Sequence, residues 1–296
     1  MIGIVIPVGP GREKNLTQCL LAIRSLGRDL PPVVLVGDGV GPDDLWATVP
    51  FGLPEVGVIE LPKHVPGMEQ PRNQGVRYLA GRWPEVTYVW FVDSDVVLEP
   101  WALDAMRDAI ADGNAGTEPR ILVGPYDWLP EGWRPESGVG WSSRGGLRND
   151  PRWPAFDTND PSHVFKGDLM AGLACFSGNL VWPIEEFQRT GGFWSELHHG
   201  RCEDGELGLR AVAMGVGISM VREARGYHLW HPVDTQLALA RNLRDVPMLN
   251  TRHPWAEGAG VVMVDRDGKA FDVRCSGCGR LVPTIGWWEH AAACHE

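Results

Sequence analysis

The chain has 296 residues, 44% hydrophobic and 22% charged, enough for one large domain or a domain with an appendage. A formal net charge of −11 argues against a surface that holds nucleic acid through its phosphates. No apolar run is long enough to cross a bilayer, and the opening MIGIVIPVGPGR lacks a basic n-region and a long apolar core, so a soluble, cytoplasmic protein is expected. Cys19, Cys175 and Cys202 are scattered, whereas Cys275, Cys278 and Cys294 cluster at the C-terminus. That distribution fits a reducing compartment and one metal site better than disulfides.

In chain order, IGIVIPV is a β-branched run that reads as a buried strand. NLTQCLLAIRSLG then puts Leu16, Leu20 and Ile23 on one helical face, with Asn15 as N-cap and Gly27 as stop. PVVLVGDG is a second strand ending on Asp38, and VGVIELP a third. QPRNQGVRYLAG reads as a helix from about Pro71 to Gly81, followed by the strand VTYVWFV. EPWALDAMRDAIADG is a helix with Pro100 in its first turn, and RILVGP a further strand. Strands alternating with helices imply an α/β domain with a mainly parallel sheet covered on both faces. Ligands of such sheets bind beyond the carboxyl ends of the strands, where Asp38, Asp93 and Asp95 fall.

From 125 to 166 the pattern breaks into a Trp-, Pro- and Gly-rich segment, too long for an ordinary connection and too aromatic for a solvated linker. A structured or ligand-ordered insertion over the site is expected. Regular structure resumes at LMAGLACFSGNLVWP. EDGELGLRAVAMG is a helix with Leu207, Ala211 and Met214 on one face and Gly215 as stop; GVGISMV is a strand; a polar helical stretch covers 234–244. The first domain is placed at 1–250. A second unit, 255–296, begins near Trp255 with a hairpin turning at Asp267-Gly268.

Within YVWFVDSDVVLEPW, an apolar run ends on Asp93 and Asp95 with Ser94 between. In an extended backbone, residues two apart share a side, and two ionised carboxylates there repel unless both are wet or a cation lies between them. Singly, the other candidates have ordinary explanations. Glu203-Asp204 can serve the dipole of the helix it opens, His228 a structural role, Asp38 a turn, and Arg72-Asn73 capping and surface charge.

Taken in order, IVIPVGPGREKNLTQCLLAI, VGDG, PRNQGV, VWFVDSDVVLEP, FSGNLVWPIEEFQRTGGFWSEL, CEDGELGLRAVAMG and YHLWHP resemble the family 2 glycosyltransferases of the GT-A fold, over roughly residues 1–231. The resemblance implies transfer of a sugar from a nucleotide-diphosphate sugar, UDP-linked and with inversion, to an acceptor hydroxyl. It implies a catalytic Mn²⁺ or Mg²⁺, with Asp95 as direct ligand, Asp93 also at the metal and facing ribose and sugar, and Ser94 between them. His228 matches a metal-binding histidine, with His231 as the competing choice. Asp38 matches the residue that reads the base, Pro7, Val8 and Gly9 border the nucleotide, and Arg72 lines its pocket. Asp204 matches the general base, and Glu203 its acceptor-orienting neighbour. GDG departs from the family's usual Asp-Asp-Gly-Ser type, PVGPGR carries no Tyr or Asn, and the Trp-rich insertion matches nothing, leaving the acceptor unassigned.

At the C-terminus, Cys275-x₂-Cys278 precedes His290 and Cys294, which share a helical face at a separation of four. This is structural zinc spacing, with His295 an alternative to Cys294. Trp287 and Trp288 suggest packing or a docking partner. A protein or glycan acceptor is expected over modified DNA, because the chain is acidic. The competing class is a nucleic-acid- or protein-docking module built on the zinc unit.

Overall fold

A computed structural model describes residues 1–27, 29–53, 55–61, 69–115, 119–129, 131, 156, 163–197, 202–232, 245, 248–249, 251–253, 272–274 and 281–283. Its centre is a seven-stranded sheet. In chain order the strands are β1 (Ile2–Val8), β2 (Val33–Asp38), β3 (Val56–Leu61), β4 (Tyr88–Val92), β6 (Arg120–Val123), β8 (Asn179–Pro183) and β9 (Gly217–Met220). Spatially they run β3-β2-β1-β4-β8-β6-β9. All neighbours are parallel except β8, which lies antiparallel to β4 and β6. The expected mainly parallel sheet is present.

Helices cover both faces: α1 (Glu13–Arg24), the short α2 (Pro42–Trp46), α3 (Glu69–Arg82), α4 (Ala102–Ala115), α5 (Leu169–Leu173), α6 (Ile184–Arg189) and α7 (Glu203–Ala213). Strand side chains alternate between faces, so each strand feeds two cores. Ile4, Ile6, Trp90 and Val181 pack with Leu16, Leu20 and Ile23 of α1 and Leu103 and Met106 of α4. Val5, Phe91, Leu180 and Trp182 pack with Val76 and Leu79 of α3 and Leu207 and Ala211 of α7. Burial on both faces explains why these strands read as unbroken apolar runs.

Several boundaries differ from expectation. α1 starts two residues before Asn15, which is buried in its first turn instead of capping it. Glu13 takes the start: its carboxylate accepts from the Gly11 N–H and lies at the positive end of the helix. The described part of α3 runs from Glu69, two residues before the expected Pro71. Met214 is 37% exposed, outside the packed face of α7.

A second, three-stranded sheet was not legible in the sequence. It joins β5 (Val96–Leu98), β7 (Tyr126–Trp128) and β10 (Gly226–His228) in the order β5-β10-β7. β7 falls inside the segment expected to be irregular. At the C-terminus β11 (Asp272–Arg274) pairs antiparallel with β12 (Leu281–Pro283), and the two flank Cys275 and Cys278 in the chain. Cys275, Cys278, His290, Cys294 and the alternative His295 lie outside the described residues, as do the 267–268 turn, the 234–244 stretch and most of the 125–166 insertion. Among the described residues no helix is long and apolar enough to cross a membrane.

Candidate active site

The Asp93-Ser94-Asp95 segment is not extended. β4 ends at Val92, the Val96 N–H donates to the Asp93 carbonyl at 3.0 Å, and the chain turns into β5. The two carboxylates therefore meet different partners, and the clash expected of a straight strand does not arise.

Asp95, 6% exposed, faces two imidazoles and a guanidinium. β10 pairs antiparallel with β5 in the register His228↔Val96, and the Leu229 N–H donates to the Asp95 carbonyl at 2.7 Å. That ladder fixes His228 beside Asp95, with His228 Nε2 3.5 Å from Oδ1. His231, three residues on, brings Nε2 to 3.2 Å from Oδ2. Ligand atoms of Asp95, His228 and His231 lie within 4.8 Å of one another. Both histidines approach Asp95, whereas the sequence left them as rivals. Burial alone would raise the Asp95 carboxyl, but His228, His231 and Arg12 outweigh it and hold its pKa below the ordinary value. The set suits a divalent cation: one hard carboxylate and two imidazoles favour Mn²⁺ over Mg²⁺. His228 Nδ1 is buried without a hydrogen-bond partner among the described residues. Trp128 of β7 instead stacks on the ring, 4.1 Å between centroids and 27° between planes, and fixes its orientation.

Asp93, expected at the metal, points elsewhere: Arg72 Nη2 donates to its Oδ1 at 2.9 Å. Arg72, 4% exposed, also donates through Nη1 to Glu203 Oε1 at 3.1 Å and lies 3.9 Å from Asp204 Oδ1. One buried guanidinium thus joins Asp93 to the carboxylates that open α7. Its positive form is strongly favoured by Asp204, Asp93 and Glu203, which outweigh its burial. α7 reaches this position because it packs against α5 at near-backbone contact. A Cβ on Gly208 would sit 1.9 Å from the Gly172 carbonyl oxygen.

The carboxylates of α7 have the opposite electrostatics to Asp95. Burial and the neighbouring Asp204 push Glu203 up to about 7, against the pull of Arg72. Burial also raises Asp204, with Arg72 and Ser177 opposing it. Glu69, one turn before Arg72, is fully buried and has neither carboxylate oxygen hydrogen-bonded among the described residues. Burial first, then Glu203 and Asp245, push it up to about 8.

At the ends of the parallel strands, Pro7, Val8 and Gly9 form a buried loop edge and Ser94 is 6% exposed. Asp38 ends β2 with Oδ1 lacking a hydrogen-bond partner among the described residues, its pKa raised by burial. Among the described residues no hydrogen bond or ion pair joins Asp38 to the Asp95 or Arg72 groups. Several participants were missed. Arg12, from the loop after β1, lies 3.5 Å from Asp95 Oδ2. Gly178 leaves room for Asp93: a Cβ there would sit 3.2 Å from its Oδ2 and 3.0 Å from the Tyr126 ring. Asn73 exchanges two hydrogen bonds with the Phe193 backbone and pins the GGFW turn beneath Arg72. PRNQG and GGFW were singled out in the sequence, but nothing in it pairs one with the other.

The fold is shared with solved glycosyltransferases. The structure of S. aureus TarS residues 1–349 superposes with a TM-score of 0.54 at 17% identity, covering 77% of this chain and 60% of that one. The longer S. aureus TarS structure gives 0.53 at 16%, covering 82% and 40%. GalNAc-T7, solved with UDP, GalNAc and Mn²⁺, gives 0.53 at 15%, covering 78% and 44%. This chain therefore spans 60% or less of each, and at these identities the likeness establishes the GT-A arrangement of the sheet. No curated protein matches the chain in sequence. The family model described as Glycosyl transferase family 2 matches residues 4–168, more than half of the chain, and the chain belongs to that family.

Proposed function

We propose that the protein transfers a sugar from a nucleotide-diphosphate sugar, UDP-linked, to an acceptor hydroxyl with inversion at the anomeric carbon. The observation that carries this reading is the placement of two unlike carboxylate groups around one turn. Asp95 stands with His228 and His231, while Asp93 is tied through Arg72 to Glu203 and Asp204. The UDP and Mn²⁺ named with the GalNAc-T7 structure support the choice of donor and metal.

Asp95, His228 and His231 would hold the cation, which when bound supplies charge neutralisation at the leaving diphosphate. Pro7, Val8, Gly9, Ser94 and Asp38 border the nucleotide, with Asp38 toward the base. Asp93, fixed by Arg72, faces the ribose and sugar. Asp204 takes the proton of the acceptor hydroxyl. As it does so, the acceptor oxygen bonds the anomeric carbon, and the bond from that carbon to the diphosphate oxygen breaks, its electron pair leaving with the diphosphate. A raised carboxylate pKa suits a base, because basicity grows with pKa, and Arg72 keeps enough of the ionised form present. Glu203 orients the acceptor.

The test is a melting-temperature panel of nucleotides and nucleotide sugars with and without Mn²⁺, followed by donor hydrolysis with the best binder. UDP compounds should stabilise the protein only with the metal. Equal shifts with and without Mn²⁺ would sink the metal assignment, and no shift with any nucleotide would sink the reading.

For the C-terminal unit we propose one structural Zn²⁺ held by Cys275, Cys278, His290 and Cys294, and a docking role. Its support is ligand spacing and the β11–β12 pair flanking the first two cysteines. Metal analysis of protein purified without added zinc checks it, alongside Cys278→Ser. Zinc undiminished in that variant removes the assignment.

A further inference from the structure

Next to Trp194 lies a groove of about 470 Å³ lined by Trp194, Met248, Thr251 and Arg252. The Arg252 guanidinium carbon sits 4.0 Å from the Trp194 ring centroid, and its Nε lies 3.2 Å from Glu206 Oε1. Glu206 is fully buried and shared. Arg210 grips it through Nε and Nη2, and His253 Nε2 lies 3.0 Å from Oε1. One carboxylate thus faces two guanidiniums, leaving a positive surplus even with His253 neutral. Arg210 is consumed internally, donating to the Thr190 and Gly192 carbonyls. Arg252 is the accessible member, its side chain 36% exposed, and among the described residues neither Nη atom makes a hydrogen bond.

This surplus cation adjoins the acidic half of the active site. Glu206 follows Glu203 by three residues in α7, so the two carboxylates share a face of the helix, about 4.5 Å apart along its axis. Arg210 links the same carboxylate to Gly192, and the ring of the next residue, Phe193, lies 5.4 Å from the Arg72 guanidinium carbon. In a chain of net charge −11, a guanidinium set beside an aromatic wall, its Nη donors making no hydrogen bond among the described residues, is a local reversal of sign. The Trp194 stack and the Nε–Glu206 pairing hold the guanidinium plane. A planar fork held in this way loses little freedom on meeting an oxyanion, and its two Nη donors match a carboxylate or phosphate edge.

We propose that this groove is a subsite for an anionic group, carboxylate or phosphate, carried by the acceptor, and that Arg252 selects it. The word acceptor rests on the glycosyl-transfer reading above; the anion site does not.

The experiment is a ligand-observed NMR titration of the full chain, with UDP and Mn²⁺ present, using methyl β-D-glucuronide, glucose 6-phosphate and methyl β-D-glucoside. At least one anionic probe should bind about tenfold or more tightly than the neutral glucoside. Arg252→Gln should abolish that preference and Arg252→Lys should keep part of it, with melting temperatures confirming folded protein. Because a phosphate can also enter a nucleotide site, the preference must survive in Asp95→Ala. Stronger binding of the glucuronide assigns a carboxylate, and of the sugar phosphate a phosphate. Equal binding of charged and neutral probes, or a preference unchanged in Arg252→Gln, overturns the subsite. Trp194→Phe, which keeps an aromatic wall, gives a second check through weaker binding of all three probes. Wild-type protein that fails to bind UDP with Mn²⁺ while keeping the Arg252-dependent preference would overturn the transferase reading alone.

Discussion

Asp95, after the β4–β5 turn, and the carboxylates gathered around Arg72 are buried alike but behave in opposite ways. Asp95 sits among His228, His231 and Arg12, and its pKa is lowered in spite of burial. Glu203, Asp204 and Glu69 lie around Arg72, and burial, with repulsion from neighbouring carboxylates, raises all three. The same residue type becomes a standing anion in one place and a proton acceptor in the other. What separates them is the surroundings: Asp95 has imidazole and guanidinium partners, whereas the carboxylates around Arg72 mainly meet one another. A carboxylate metal ligand must be ionised, and a general base must bind a proton readily.

The largest effect is expected on the basic side. Asp204→Asn should lower kcat by about 10²–10⁴-fold while leaving nucleotide affinity in place, read by steady-state kinetics and UDP titration. A collapse of donor affinity instead would move Asp204 to the nucleotide site and erase the contrast.

Next comes the cation that the acidic cluster shares. Arg72→Gln leaves three carboxylates around a vacated cation, and loss of one partner from a buried ion pair costs about 3–5 kcal/mol. Urea unfolding should show that loss at pH 7.5 and a smaller one at pH 5.5, where Glu203 is protonated. A loss independent of pH would mean that Arg72 acts through packing on Phe193 alone.

On the cationic side, Asp95→Ala should remove the Mn²⁺-dependent part of UDP stabilisation in a melting assay. His228→Gln and His231→Gln should each weaken it. If only one histidine matters, the convergence of both on Asp95 is not a shared site.

The smallest effect is a slope. Glu203 and Glu69 titrate near 7 and 8 when folded, against 4.5 for a free glutamate. Between 4.5 and those values the folded chain keeps protons that the unfolded chain has released. Their contribution to stability is therefore full below pH 4.5 and is lost as pH rises through the folded values, by at most about 1.4 kcal/mol per pH unit per group. Asp95 has the reverse sign and loses its contribution only as pH falls through its depressed value. Unfolding midpoints at pH 5.5, 6.5 and 7.5 should decline, and Glu69→Gln should flatten the decline. A rising midpoint would show that the raised values are wrong.

The strands were legible because burial on both faces leaves an unbroken β-branched run such as IGIVIPV or TYVWFV, which few other structures tolerate. Helix interiors were legible from spacing, as with Leu16, Leu20 and Ile23, but helix starts were not. Glu13 displaces the expected first residue of α1 because a carboxylate at the first turn competes well with a capping side chain. Asp95, Asp93, Arg72, Glu203, Asp204 and His228 were all singled out as site candidates because the order of the motifs that carry them resembles the family 2 glycosyltransferases; singly, each had an ordinary explanation.

Which of them meet was decided by tertiary structure. Sequence spacing suggested that Asp93 and Asp95 share a side, and a single turn between β4 and β5 sends them to different partners. The pairing of β5 with β10, across some 130 positions of chain, puts His228 on Asp95 and brings His231 with it. Arg12, Gly178 and the Arg252–Trp194 stack carry no local pattern at all, because each takes its role from a neighbour distant in sequence. Local sequence fixes the period of each element and so its buried face; the partners across that face depend on register and packing, which no short window contains.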